Sequence, residues 1–381
     1  MSAPKPIIFT RYLYIKDEVE IALLLSILNK KDESIFWGYE LYYSGFEQEL
    51  FDFLWKIYYG FFATLNPSFE AYFLKKEKEW KKKKDPILVS TLIQDLLIRS
   101  FTCDIFMLIH LNNLFDFEFE LNEANLKNDI KSWIQTTQFR NIAYFILQTK
   151  HSPSAIYSLF IDEFQNLHPS LSFYKTKMQK QLQTLCSYHT SLSCKTILLA
   201  KVIALFSFED KGKDFYVRVK VEDIVMYETK VAQGNVKPYT ILKSCCIFGT
   251  NDSEQLGWFH LNRDSYSLTN IKNTFHYDWL YHASFSPIWL ERINKFGGKH
   301  CDDIKSKKIL FSKEEDEEQF YENYNYEPDE QSSLLQNKLV PPVKKDYQWL
   351  QFLTRYNKLG LVKIEEEQEE LCKELLSFPK M

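Results

Sequence analysis

Residues 16–73 read KDEVEIALLLSILNKKDESIFWGYELYYSGFEQELFDFLWKIYYGFFATLNPSFEAYF. Between Phe36 and Phe62 nearly every second residue is Phe, Tyr or Trp, a density of rings that is soluble only when buried. The spacing predicts a helical core. Over 16–30, Val19, Ile21, Leu23, Leu24, Ile27 and Leu28 recur at helical intervals behind an acidic first turn, Asp17 and Glu18, which suits a helix N-terminus. A second helix, 33–43, ends at Ser44-Gly45, where glycine accepts the left-handed conformation of a helix C-terminus. A third, from 46 to about 65, carries two stripes: Phe46, Leu50, Leu54, Ile57 and Phe61, and Phe51, Trp55, Tyr58 and Phe62. Two stripes mean burial on more than one side. Asn66-Pro67 stops this helix and Pro67-Ser68 opens a fourth. Each buried ring contributes about 2–3 kcal/mol. Such short connections make neighbouring helices antiparallel, as in bundles and helix-pair repeats.

The fourth helix runs into LKKEKEWKKKKD at 74–85, where seven of the ten residues from Lys75 to Lys84 are lysine. Lys75, Lys76, Lys78, Lys81, Lys82, Lys83 and Lys84 read either as cations solvating a helix C-terminus or as a contact for phosphate or an acidic partner. Trp80 either stacks on a base or anchors the helix to a neighbour. Residues 86–114 are again apolar at helical spacing, with Ser100 as a break and His110 as a structural histidine in an apolar run. Phe115 to Glu120 alternates as a short strand or an acidic linker. Residues 125–149 read as one long helix, followed by helices at 153–167, 175–188 and 196–206.

Character changes near Asp214. Phe215, Val217, Val219 and Val221 alternate with polar residues, and 239–248 and 256–261 are further strand candidates. Helix resumes at 275–284 and 287–296; Gly297-Gly298 makes a turn and 307–311 a short strand. The acidic stretch 314–330, EEDEEQFYENYNYEPDE, reads either as a solvated helix with a loop or as a partner motif. In the second reading Glu317 and Glu318 supply charge, and Phe320, Tyr321, Tyr324 and Tyr326 are anchors. Pro341-Pro342 separates a terminal helical pair, 346–378.

The expected fold is therefore mainly α. A multi-helix bundle or irregular HEAT-like array occupies about 16–207, with a small β-containing insertion at about 214–262 and C-terminal helices. The expected domains are an N-terminal extended segment at 1–15, the aromatic helical domain at 16–207 and a mixed α/β domain at 208–311. An acidic linker at 312–342 and a helical segment at 343–381 follow.

The 381 residues allow two or three domains, and a 45% hydrophobic content suffices for a sizeable core. Aromatics at 16% exceed a commoner level near ~10%, an excess to which an AT-rich coding sequence also contributes. Ten glycines argue against glycine-rich nucleotide loops. A net charge of −4 exerts no global pull on nucleic acid. No secretory leader and no run of 18 apolar residues is found, so no membrane span is expected. Seven scattered cysteines read as reduced thiols of a cytosolic or cytosol-facing protein. There is no GxxxxGK[ST], HExxH, CxxC or GxSxG. His276, His282, His300 and Cys301 have no common zinc spacing, and the pairs Asp162-Glu163 and Asp302-Asp303 are ordinary surface carboxylates. No catalytic residue, metal or cofactor is expected.

Four segments resemble conserved proteins of nucleocytoplasmic large DNA viruses, of the mimivirus and large algal-virus type. They are YIKDEVEIALLLSILNKKDESIFWGYELYYSGF at 14–46, LIRSFTCDIFML at 97–108, DWLYHASFSPIWLERI at 278–293 and FYENYNYEPDEQ at 320–331. The resemblance covers most of the chain except about 170–240. It implies a viral protein of the host cytoplasm, viral factory or virion, and carries no catalytic residue across. The core stretch alone is similar to the helical collar of clamp-loader-like ATPases, and also to the HEAT-like domain of the translation-initiation scaffold that binds a DEAD-box helicase. The expected function is a non-enzymatic scaffold or adaptor whose partners are viral or host proteins. The alternatives are a nucleic-acid-linked accessory factor in replication or translation, and a minor virion structural protein.

Overall fold

The computed structural model describes residues 5–114, 125–167, 175–189, 192–206, 215–228, 261–262, 266–301, 306–324, 352 and 355–362. Among them sixteen α-helices and a single two-stranded sheet make a mainly-α protein. In chain order the elements are α1 Lys16–Leu28, α2 Glu33–Tyr42, α3 Glu47–Ile57 continued by a π-helical turn Tyr58–Phe62, α4 Phe69–Lys83, α5 Ile87–Leu97 and α6 Asp104–Leu114. Next come α7 Leu126–Gln135, α8 Phe139–Gln148, α9 Pro153–Leu167, α10 Lys175–Tyr188, α11 Cys194–Ile203 and α12 Glu222–Glu228. The last are α13 Leu268–His276, α14 Trp279–Ala283, α15 Pro287–Lys295, β1 Lys299–His300, β2 Ile309–Leu310 and α16 Glu314–Tyr324.

Four helices stop in the same way. After α1, α2, α7 and α15 one residue takes a positive φ, at Lys30, Gly45, Thr137 and Gly297. The next N–H then reaches back to a carbonyl five residues earlier: Lys31 to Ser26, Phe46 to Leu41, Gln138 to Trp133 and Gly298 to Ile293. This closure satisfies carbonyls that the helix leaves orphaned. Gly45 has a second reason to be glycine, since a Cβ there would stand 2.5 Å from the Pro287 Cβ. Thr137 divides the single helix expected over 125–149 into α7 and α8. The stop carries no glycine, so nothing in the residue types announced it.

The chain forms two compact units that interleave along the sequence rather than following contiguous domains. Unit 1 is Met1–Leu50, Asp85–Leu97 and Val217–Gln348; unit 2 is Phe51–Lys84, Ile98–Tyr216 and Trp349–Met381. The ring-rich stretch is thus shared, with the division inside α3.

In unit 1, α1 and α2 form an antiparallel pair on which α5 packs. Gly38 permits the close approach, because a Cβ there would collide with Ile93. Residues 5–15 turn back on themselves, bridging Phe9 to Ile15, and they are core. Ile7, Phe9, Leu13 and Ile15 pack with Ile271, Trp279, Trp289, Ile293 and Phe320 in one buried cluster. Residues 215–220 are not a strand: they pair with no neighbour among the described residues, and the Val217 N–H donates to Asp95 Oδ1 at 2.8 Å. Their polar groups go to side chains instead of a ladder, and α12 follows. The sheet lies later, with Lys299 opposite Leu310 and His300 opposite Ile309. The strand candidates at 115–120 and 239–248, nearly all of 256–261, and most of the terminal pair 346–378 lie outside the described residues.

In unit 2, α11 contacts α8, α9, α10, α6 and the π turn. Every residue from Ile197 to Ile203 is buried, the signature of a central helix rather than an amphipathic one. All five residues of the π turn are buried too, and its Phe61 carbonyl accepts from the Thr102 N–H at 2.8 Å. The two stripes expected for the third helix are buried.

Candidate interaction surface

On α4, Glu70, Phe73, Glu77 and Trp80 are buried, and their spacing of three and four residues puts them on one face. Two carboxylates on the inner face of a helix demand partners. Glu70 Oε2 meets Lys201 Nζ at 2.8 Å, with relative exposures of only 4% and 8%. Glu70 Oε1 accepts from the Tyr59 hydroxyl at 2.7 Å. Glu77 Oε2 accepts from Trp55 Nε1 at 2.7 Å, and Glu77 Oε1 meets Lys81 at 3.0 Å. Burial pushes the Tyr59 phenol well up, and the Glu70 charge adds to it. His189, edge-on to Trp55 at 4.5 Å, is pulled down by burial against the opposing charges of Glu77, Asp52 and Glu70. Sequence reading missed this network. Its one local signal was an acidic residue at two positions of the apolar face of α4.

Trp80 is 1% exposed and stacks on Phe51 at 4.2 Å. A buried indole cannot stack on a base, so the structure corrects that reading: Trp80 anchors the helix. The lysines divide by chemistry. Lys76 and Lys83 both pair with Glu79, at 3.5 and 2.9 Å. Those two contacts, led by the hydrogen bond from Lys83, hold the Glu79 carboxyl below its usual range. Lys81 is bound to Glu77. Lys84 closes α4 at φ 54° with its Nζ 3.9 Å over the Trp80 ring. Lys75, Lys78 and Lys82 remain, exposed and with no carboxylate among the described residues; Lys78 reaches only the Tyr188 ring, at 5.6 Å. They repeat at three and four residues and span about 10 Å of helix axis at 1.5 Å per residue. With Ala71, Leu74, Lys76 and Glu79 they line an open groove. The result is one helix face fixed in the core and the other presenting three cations that form no ion pair among the described residues, beside a Glu79 already paired with Lys76 and Lys83.

The acidic segment is assigned differently from the partner-motif reading. Glu317 and Glu318 are exposed on α16. Phe320 is fully buried, and Tyr321 and Tyr324 pack against the same unit 1 cluster. Phe320 is therefore spent inside the fold, and Tyr321 and Tyr324 are half-buried, because the turn spacing of α16 points the three at Phe296, Trp279 and Trp289. Tyr326 lies outside the described residues.

Unit 1 holds a second buried charge site. Arg11 Nε meets Glu40 Oε2 at 2.8 Å, the Tyr12 N–H donates to Glu40 Oε1 at 3.1 Å, and Arg11 Nη1 donates to the Tyr227 carbonyl at 2.9 Å. Arg292 Nη1 donates to the Arg11 carbonyl at 3.1 Å. Nearby, His282 Nδ1 accepts from the Ile7 N–H at 3.0 Å, and His300 Nε2 lies 3.1 Å from Ser284 Oγ. Those ring nitrogens are engaged with protein groups, and among the described residues no three His, Cys, Asp or Glu side chains gather as metal ligands.

Burial, with the Lys307 charge adding to it, pulls His282 from 6.5 down to about 4. The folded state therefore binds its proton more weakly than the unfolded chain. Stability from this group is complete above the unfolded value of 6.5 and is lost as pH falls toward 4. The loss amounts to about 3 kcal/mol at 1.36 kcal/mol per unit. Urea unfolding of His282→Asn should show a weaker dependence between pH 6.5 and 4 than the native chain; equal slopes would remove His282 as the source.

Among the described residues, no helix is long and apolar enough to cross a membrane. Fold and surface together define a mainly helical protein with buried charge networks and a cationic helix face. Compared with protein-family models, curated proteins and solved structures, the chain matches none.

Proposed function

We propose that the chain is a non-enzymatic helical interaction scaffold, an adaptor of a large DNA virus acting in the host cytoplasm or viral factory. The observation that carries this reading is the α4 face of Lys75, Lys78 and Lys82, exposed and without an ion-pair partner among the described residues while the opposite face is locked into unit 2. A cationic face on a helix whose other face is buried suits recognition of an acidic protein surface. The resemblance of the four quoted segments supplies the viral setting.

The test is Lys75→Glu, Lys78→Glu and Lys82→Glu combined, with affinity purification of native and variant chains from infected cells. The variant should lose the partners of the native chain. Its urea stability should stay within about 0.5 kcal/mol, as for surface changes that break no named contact. Recovery of the native chain as a lone monomer throughout infection overturns the scaffold. The three cations also support a second reading, an accessory factor that contacts phosphates. In that case duplex or single-stranded nucleic acid should bind the native chain, and each lysine removed should lower the salt slope by about 1. Unchanged nucleic-acid binding in the triple variant removes this second reading.

A further inference from the structure

Cys186 lies in the last turn of α10 and Cys194 is the first residue of α11. The Cys194 Sγ donates to the Cys186 carbonyl oxygen at 3.7 Å, so the end of one helix and the start of the next bring the two cysteines side by side. Both cysteines are free and half-buried, so a small oxidant can reach them while bulk solvent is partly excluded. The helix ends hold the pair: Ser193 caps α11 with its Oγ accepting from the Lys195 N–H at 3.3 Å. A disulfide needs Cβ atoms about 3.8 Å apart and sulfurs free to rotate into contact, and a thiol already seated on the backbone of the other cysteine needs only side-chain rotation to reach its sulfur.

We propose that Cys186 and Cys194 are an oxidisable dithiol, a modification site at which a peroxide closes an intrachain disulfide between α10 and α11. In the first step the Cys194 sulfur attacks the peroxide, the O–O bond breaks, the sulfur becomes a sulfenic acid and one water leaves. In the second the Cys186 sulfur displaces the sulfenic oxygen, the S–S bond forms and a second water leaves. Two thiols give up two electrons and two protons, and hydrogen peroxide is reduced to two waters. The order follows from Cys186, whose thiol is pushed up to about 12 by burial and by the Cys194 thiol, so that it keeps its proton and acts second. The bond ties the end of α10 to the helix that carries Lys201.

Trypsin releases both cysteines in one peptide, residues 181–195, QLQTLCSYHTSLSCK. The reduced full chain, treated with hydrogen peroxide and then iodoacetamide, should yield this peptide unlabelled and lighter by about 2 Da. Reduction should restore two labels. The folded chain should form the bond at least about 10-fold faster than the same chain in urea, because folding raises the effective concentration of one thiol at the other. In Cys194→Ser, Cys186 should remain alkylatable after the same treatment. Sulfinic or sulfonic acid at either position, two labels after peroxide, equal rates folded and unfolded, or a Cys186 still protected in Cys194→Ser would each overturn the assignment.

Discussion

Lys201→Met is expected to destabilise the protein by about 3–5 kcal/mol, the usual cost of leaving one member of a buried ion pair alone. Lys201 sits on α11, buried on all sides, and its ammonium is the cation against Glu70 Oε2 at 2.8 Å. Methionine fits the stem but removes the cation from a carboxylate that is 4% exposed, while the Tyr59 hydroxyl still donates to it. Adding Glu70→Gln removes the stranded charge and keeps an acceptor for Tyr59, so the double variant should recover part of the loss. Urea midpoints of the four chains form the cycle. A cost under about 1 kcal/mol for Lys201→Met, the range of exposed pairs, would mean that water screens the site.

The second large effect is expected at Glu40. Its carboxylate accepts from Arg11 Nε and from the Tyr12 N–H, and it is the acidic charge between two guanidinium groups. Burial lowers Arg292, and the charge of Glu40 works against that lowering while Arg11 adds to it. Glu40→Met keeps the volume and leaves Arg11 and Arg292 repelling each other in a site where Arg11 is 7% exposed. About 3–5 kcal/mol should be lost, seen as a lower urea midpoint. Arg11→Met in the same background should cost less than it does alone, because the cation it removes is already unpaired. Equal costs in the two backgrounds would show that the two residues do not act as a pair.

Some of these features were legible in residue order. Gly45 and Gly297 announced their helix ends because only glycine takes a positive φ without cost. The polar run around Lys30 marked the end of the first helix, but Thr137 makes the same turn and gave no such notice, so α7 and α8 read as one helix. The alternating residues 215–221 read as a strand, yet a strand needs a neighbour to take its hydrogen bonds. Asp95 takes the Val217 N–H instead. In the candidate surface, the lysine run and its helix were visible, and so was the choice of roles for Trp80. Burial against Phe51 decided that choice.

Residue order alone determined that this chain is helical and ring-rich, where most of its helices lie, and that seven lysines cluster at the end of one of them. Those properties follow from short-range periodicity, which the local sequence carries whole. Tertiary structure decided which lysines stay uncompensated, which aromatics are spent inside, and that Glu70 finds Lys201 131 positions away. A buried charge is tolerable only beside its counter-charge, and distance along the chain says nothing about which residues folding will bring within 3 Å.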